Sequence, residues 1–551
     1  MRTRGKIFLT LLILGVLGLG IWKWLPKLAP QVLGTRPASQ PTAAASSVAA
    51  AELVETLSEV PKLTAPVAYQ PKDNTVEIEL SEYAGYAGLI VANGGLAPNE
   101  NSIFFKKHGF KVAIKLSEEE SWSALNSGKM AASATTVDVL AIYGRQFQVL
   151  VPAQIGFSRG ADGVVVRSDL KRINQLKGKT LATSQFTEAE FFIRYLAQEA
   201  GLGINTLPDL KTAPDPDRLN LVFCKDAFAA GDFFLRDVRD GGGSIAGCVT
   251  WAPKTTEVAD QSGGKARVLA TSRNVLIVAD VLVVNKAFAQ QNATMLAGLV
   301  NGLLEGNRLV RDNPTAWLEV IAKAFKWDRD QARSELAKVH LSNLPENLAF
   351  FSGAIDAAGS FGGIYQSAVL AYGTRLIKEP VDGDRFLELQ PLKALDQSGA
   401  FKDQTVAIAP IRAAGSAPVE GDPLLSKDIR FLFAPNSSHL DTNNLDNLKN
   451  LEAIKRLLQV SPGSTILLRG HVDNSMVDEF RKRGGEAFVR QMALKAVDFS
   501  KQRANEIKRL LIEQHGVDAK RLDGIGRGWE EPLGPNHEQN RRVEAQWFTL
   551  E

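Results

Sequence analysis

The chain has 551 residues, 64 basic against 61 acidic, and a formal net charge of +3. That balance, with no basic stripe interleaved with aromatics, argues against nucleic acid as a partner. At 45% hydrophobic and 23% charged, the composition is that of a globular chain.

In chain order, the first predicted element is an apolar run from Ile7 to Leu25 behind Arg2, Arg4 and Lys6. At about 1.5 Å per residue it is long enough to span a bilayer. The basic flank predicts a cytoplasmic N-terminus, and Trp22 and Trp24 suit the outer interface. A cleaved signal peptide is the competing reading. The bulky Lys23-Trp24-Leu25-Pro26-Lys27 offers no small-x-small cleavage site, which favours an uncleaved anchor over residues 1–28. The span holds no Asp or Glu, which argues against a proton-conducting stator subunit. Residues 29–70, rich in Pro, Ala and Ser, predict a linker that cannot bury a core.

Residues 71–378 are long enough for two lobes. Strand-like runs occur at Val76–Leu80, Val112–Leu116, Gly163–Arg167, Thr180–Thr183, Ser244–Trp251 and Ile277–Asn285, each followed by a helical pattern. Such alternation predicts an α/β architecture of mostly parallel sheets with ligands at the carboxyl ends of strands. Cys224 and Cys248 lie in neighbouring strand-like runs, and a disulfide or two buried thiols are both open. No nucleophile elbow, Walker loop or metal-spaced His/Cys cluster is present, so no cofactor or metal is expected. Residues 379–424, mixing Pro, Gly and charge, predict a connector.

Several short stretches of the middle region carry a resemblance: Ser81-Glu82-Tyr83-Ala84-Gly85-Tyr86, Phe104 to Val112, Ala124 to Ala132, Leu176 to Ala182, and Val249-Thr250-Trp251-Ala252-Pro253. In order, they resemble the nitrate/sulfonate/taurine type of ABC-transporter substrate-binding protein. That resemblance implies a bilobal periplasmic-binding-protein-like clamp (type II) with a solute cleft. By position the cleft receives Ser81, Tyr83 and Tyr86, then Thr135, Thr136 and Asp138, and from the second lobe Ser184, Thr187 and Trp251. Ser184 and Thr187 also read as plain helix N-caps, and Trp251 as core. Glu188 in a first helical turn argues against a highly anionic ligand, and the nearest basic residues in sequence are Arg159 and Lys179. A zwitterion or neutral molecule therefore fits as well as an oxyanion or sulfonate. A sister branch of the fold makes a thiamine precursor with an active-site His. His108 and His340 are the two histidines available here, and a non-enzymatic reading is preferred.

The tail, 425–551, predicts a strand at Ile429–Ala434, a helix at Leu445–Leu458, a strand at Thr465–Gly470, a long helix from Gly485 to His515 and a strand at Val543–Leu550. Four islands stand out: Gly470-His471-Val472-Asp473-Asn474, Phe499-Ser500-Lys501-Gln502-Arg503-Ala504, Gly526-Arg527-Gly528, and Asn540-Arg541-Arg542-Val543-Glu544. They resemble the signature of the OmpA-like peptidoglycan-binding domain, an α/β sandwich. That family's ligand is the diaminopimelate side chain, a zwitterion. The match assigns its ammonium to Asp473 and its carboxylate to Arg503, where a guanidinium bonds bidentately. Asn474 and Arg541 complete the expected set, with Arg542 beside them. The spacing departs from the family: Asp473 and Arg503 are 503 − 473 = 30 positions apart, because 475–494 reads as an insertion. Val472 and Ala496 also replace the usual Thr and Asn.

Together these readings predict a single-pass protein of the bacterial inner membrane with its bulk in the periplasm. Its partners would be peptidoglycan, a small solute and an ABC permease or other envelope complex.

Overall fold

The computed structural model describes residues 53–548 apart from 118–121, 274, 355–358, 409–423, 430, 432, 434–436, 462 and 536–539. The expected anchor and most of the expected linker lie outside these residues. Among the described residues no helix is long and apolar enough to cross a membrane.

Two six-stranded sheets form the middle region. The first contains β1 (Thr75–Leu80), β2 (Lys111–Leu116), β3 (Ala132–Thr136), β4 (Val149–Ser158), β11 (Ala279–Asn285) and β12 (Val339–Leu341), ordered β12-β4-β11-β3-β1-β2. The second contains β5 (Asp162–Arg167), β6 (Thr180–Ser184), β7 (Ile204–Thr206), β8 (Leu219–Cys224), β9 (Gly247–Trp251) and β10 (Ala266–Thr271), ordered β10-β5-β9-β6-β8-β7. Every residue of β4 and β11 is buried, as mostly apolar strands are when both sheet faces are covered. Helices Ala87–Asn93 and Ala293–Asp312 pack over the first sheet at glycine contact, since a Cβ on Gly306 would lie 1.9 Å from the Gly88 carbonyl oxygen.

The sheets are mixed rather than mostly parallel. β1 pairs parallel with β2 and β3, but β11 runs antiparallel to both β3 and β4. The cause is the double crossing between lobes. The chain leaves the first lobe after β4, builds the second, and returns along β11, so the exit and return strands lie side by side in opposite senses. The Ser158 and Ser272 hydroxyls, 2.6 Å apart, and the Gly160 amide on Ser272 Oγ at 3.1 Å tie the two crossings together.

Cys224 and Cys248 are both buried and form no disulfide with each other. β6 lies between their strands, pairing Ser184 with Cys224 and Ala182 with Cys248. Two strand spacings, about 9.5 Å, exceed what a disulfide spans.

Residues 53–70 do not behave as a free linker. The Val54 amide bonds the Phe223 carbonyl and Leu57 exchanges two hydrogen bonds with Gln185, all in the second lobe. Further on, Leu63 bonds Gln146, Thr64 bonds Ser123 and Tyr69 reaches Asn285, all in the first. Leu53, Leu63 and Tyr69 supply the apolar side chains that an averaged Pro/Ala/Ser composition hides. The expected connector also packs as far as it is described: Phe386, Leu392 and Phe401 are buried, and Glu388 bonds the Val151 carbonyl.

The third sheet holds β13 (Leu425–Ile429), β14 (Thr465–Gly470), β15 (Leu522–Gly526) and β16 (Val543–Phe548), ordered β13-β16-β14-β15. Helices Leu445–Val460 and Val477–Glu513 complete the layer. The second is broken at Gly484 and Gly485, so the stretch read as an insertion supplies a short helix, a kink and the first turns of the long helix. The first strand lies earlier than its predicted position at Ile429–Ala434, because Leu425 to Ile429 pair with Trp547 to Val543. This region rests on the second lobe: Asn174 exchanges hydrogen bonds with Ser426, Arg456 pairs with the fully buried Glu199, and the Val460 carbonyl accepts from Leu276.

Candidate functional site

A small cavity of about 70 Å³ sits between the two lobes. The first lobe lines it with Ser81 and the Tyr83–Tyr86 turn after β1, Thr135 and Thr136 at the end of β3, and Asp280 near the start of β11. The second contributes Asp162 opening β5, Glu188 opening a helix and Trp251 closing β9. Glu79, one residue before the end of β1, adds a fourth carboxylate.

Of the residues expected in the cleft, Ser81, Tyr83, Tyr86, Thr135, Thr136 and Trp251 border the cavity. Asp138, Ser184 and Thr187 do not. Ser184 Oγ and Thr187 Oγ1 satisfy each other at 2.8 Å, and Asp138 is fully buried in the first turn of helix Val137–Tyr143. Sequence reasoning missed Glu79, Asp162 and Asp280. The available signal was an acid at the opening of an otherwise apolar strand, as in Asp162-Gly163-Val164-Val165-Val166 and Ala279-Asp280-Val281-Leu282.

The electrostatics are one-sided. No Lys, Arg or His occurs among the described lining residues. Arg159 instead donates to the Arg273 carbonyl at 2.7 Å, and Lys179 borders a separate hollow. Lys115 partly offsets Glu79, with Nζ 3.0 Å from its carboxylate. Among the described residues Asp138, Asp162 and Asp280 have no cationic partner. Burial, followed by the charge of Asp162, pushes Asp280 well above the usual carboxylate range, although the Tyr86 hydroxyl donates to it at 3.1 Å. Burial pushes Asp162 up to about 6 and Asp138 up to about 7.

Neither His108 nor His340 reaches the cavity. His108 bonds Asn301 at 2.9 Å, and His340 meets Glu346 at 3.0 Å in a network shared with Arg311.

In the C-terminal region the four sequence islands meet through the backbone. The Arg527 amide bonds the Gly470 carbonyl, Val472 bonds Gly528, His471 bonds Arg542, and Gly528 donates to Ser500 Oγ. A Cβ on Gly470 would lie 2.1 Å from the Ser500 carbonyl oxygen, and one on Gly526 2.0 Å from that of Val497. This contact brings Arg503, one helical turn past Ser500, to the edge where Asp473 follows β14. Asp473 accepts from the Ser475 amide at 3.0 Å and from Arg541 Nη1 at 3.2 Å. Arg503 lies over the rings of Phe499 and Phe433, 4.5 and 4.8 Å from their centroids, and donates to the Ser437 carbonyl. Burial and then Arg541 lower its pKa, while Asp473 acts in the opposite sense. Asn474 is exposed, its carbonyl capping Val477. Arg542 turns inward to Glu544 at 3.7 Å, away from Asp473. Beside it, burial and the nearby arginines push His471 down to about 3, so its ring is neutral.

Family models match two parts of the chain: OmpA family over residues 432–546, and NMT1/THI5 like over residues 99–316. The chain joins an NMT1/THI5-like region to an OmpA-family region. Outer membrane protein Omp38 of Acinetobacter baumannii is 28% identical over 145 residues, 23% of this chain and 35% of that protein. Outer membrane porin F of Pseudomonas aeruginosa is 25% identical over 124 residues, 22% of this chain and 30% of that protein. The chain thus spans about a third of these relatives. Solved structures similar to it include the aliphatic sulphonate binding protein SsuA of Escherichia coli, at 16% identity and a TM-score of 0.42, covering 57% of this chain and 97% of that one. The desulfurization enzyme DSZB shows 14% identity and a TM-score of 0.39, over 59% and 99%. At these values neither likeness bears on ligand or activity. The OmpA-family match encloses Asp473, Arg503 and Arg541, and the NMT1/THI5-like match encloses Thr135, Asp162, Glu188 and Asp280.

Proposed function

We propose that this protein is a non-enzymatic solute-binding protein of the bacterial envelope, anchored in the inner membrane by residues 1–28 and fixed to peptidoglycan by its OmpA-family region. The observation that carries the reading is the interlobe cavity, to which both lobes bring polar side chains. A clamp held at both ends is restricted in shuttling, which favours sensing or scaffolding for a partner complex, a permease among them, over free delivery. At the wall, Asp473 takes the ammonium of diaminopimelate and Arg503 its carboxylate, with Asn474 and Arg541 beside them. The support is a pre-oriented acid and base on one edge, the base held flat by two aromatic rings.

Pull-down of the full chain with purified peptidoglycan tests the wall assignment. Arg503→Ala and Asp473→Ala are expected to abolish retention, and unchanged retention overturns it. A thermal-shift screen of small solutes tests the clamp.

A further inference from the structure

The cavity between the lobes is built for one sign of charge. Glu79 and Asp280 approach from the first lobe, Asp162 and Glu188 from the second, and no basic side chain borders the space among the described residues. Asp162 and Asp280 are 3% and 4% exposed and carry no ion pair among the described residues. Closing two lobes that each carry buried carboxylates leaves like charges facing one another, at a cost relieved only by protons or a cation. A second feature points the same way. The Thr135 hydroxyl borders the cavity, is 4% exposed, and has no hydrogen-bond partner among the described residues. A buried hydroxyl without a partner is costly and rare unless a ligand completes it.

The remaining walls are aromatic. Tyr83 and Tyr86 meet edge-on with centroids 5.1 Å apart, and Trp122 and Trp251 also border the space. Aromatic faces favour cations, organic ammonium ions above all. A metal ion fits poorly, because no group of three or more His, Cys, Asp or Glu side chains among the described residues is arranged to hold one. The volume, about 70 Å³, suits a compact guest.

We propose that the interlobe cavity binds a small organic ammonium ion, alone or as the cationic end of a small molecule, held between Asp280 and Asp162 against the aromatic walls. The inference rests on the solute-binding reading and names the ligand class of that same site. An oxyanion would have to enter a space bordered by four carboxyl groups, with no base among the described lining residues to receive it.

Calorimetric titration of the full chain with methylammonium and tetramethylammonium, against nitrate and methanesulfonate, tests this. Saturable binding of an ammonium probe is expected, weakened at least tenfold by Asp280→Asn. If Asp280→Asn fails to fold, Asp162→Asn is expected to give the same loss. Saturation by nitrate or methanesulfonate alone overturns the cation assignment and leaves the solute-binding reading standing. Ammonium binding untouched by both substitutions overturns the site. Saturation by none of the four probes, in a chain that still melts cooperatively, overturns the cation assignment; a solute that stabilises the chain in the thermal-shift screen then keeps the wider reading alive.

Discussion

The two candidate sites handle charge in opposite ways. In the cleft, Asp162 and Asp280 are buried with no ion pair among the described residues, and burial raises the pKa of both. At the C-terminal edge, Asp473 is paired with Arg541, and Arg503 is shielded by two rings and a carbonyl. A site that lacks one sign of charge selects that sign in its ligand. A site holding both, each already partnered, selects a zwitterion by exchange. The cleft should therefore be sensitive to pH and ligand, and the wall site to geometry.

The largest expected effect is on pH dependence. A carboxyl held protonated by burial favours the folded state below its ordinary value near 3.8 and loses that advantage as pH rises through its folded value, about 7 for Asp138 and about 6 for Asp162. Hydrogen bonds from Thr136 and the backbone act to lower the Asp138 value, but burial, with the charges of Asp162 and Glu190, outweighs them and keeps the shift upward. Each tenfold displacement in proton affinity is worth about 1.4 kcal/mol, so Asp138 alone is worth at most about 4 kcal/mol. The ligand-free clamp is expected to melt at a higher temperature at pH 5 than at pH 8 in calorimetry, with Asp162→Asn, at the cavity, reducing the difference and Asp138→Asn, buried away from the cavity lining, reducing it further. A pH-independent melt would erase the contrast between the two sites.

Next in size is Gly526→Ala. The added methyl meets the Val497 carbonyl at 2.0 Å and the Lys501 amide nitrogen at 2.7 Å, both helix backbone with no side chain to yield. Forcing the long helix off β15 costs about 3 kcal/mol. Peptidoglycan retention is expected to fall with it while solute-induced stabilisation of the clamp persists. Joint loss of both would show that the two regions are not separable. Arg456→Ala probes that junction directly. It leaves Glu199, fully buried, without its guanidinium. The loss is about 2 kcal/mol, below the usual range for a broken buried pair because Arg456 is itself 34% exposed. Denaturant unfolding followed at Trp547, buried in the C-terminal sheet, reads the effect.

How much of this was legible follows from where each signal resides. β14 is found at its predicted limits, Thr465–Gly470, because its apolar run is flanked by residues whose types are locally dictated. The glycines of the islands are written into the sequence for the same reason: only a residue without Cβ fits where Gly470 and Gly526 touch the helix. The cleft was half legible. Ser81 and Tyr83, just past β1, and Thr135, at the end of β3, were placed by the family resemblance, but the acidity of the cavity is tertiary. Residues 79, 162, 188 and 280 are separated by 83, 26 and 92 positions, and no local pattern announces that they converge. The path of residues 53–70 was illegible for a similar reason, since its hydrogen bonds are to Phe223, Gln185 and Asn126, far along the chain.

The smallest expected effect separates the sites most finely. Arg541 is half exposed, and its bond to Asp473 is an exposed-edge ion pair of the kind worth under about 1 kcal/mol. Burial raises the Asp473 carboxyl, but Ser475 and Arg541 together pull it below its ordinary value. Because Ser475 supplies two of those bonds, the carboxylate stays ionised and oriented when Arg541 is removed. Arg541→Ala is therefore expected to leave the melting temperature nearly unchanged and to weaken peptidoglycan retention only about threefold, the order of one exposed pair. Raised salt should shrink even that difference. Complete loss of retention would instead make Arg541 a primary contact with the ligand carboxylate. The acid and base of the wall site would then be Asp473 and Arg541, with Arg503 left as a stacked support.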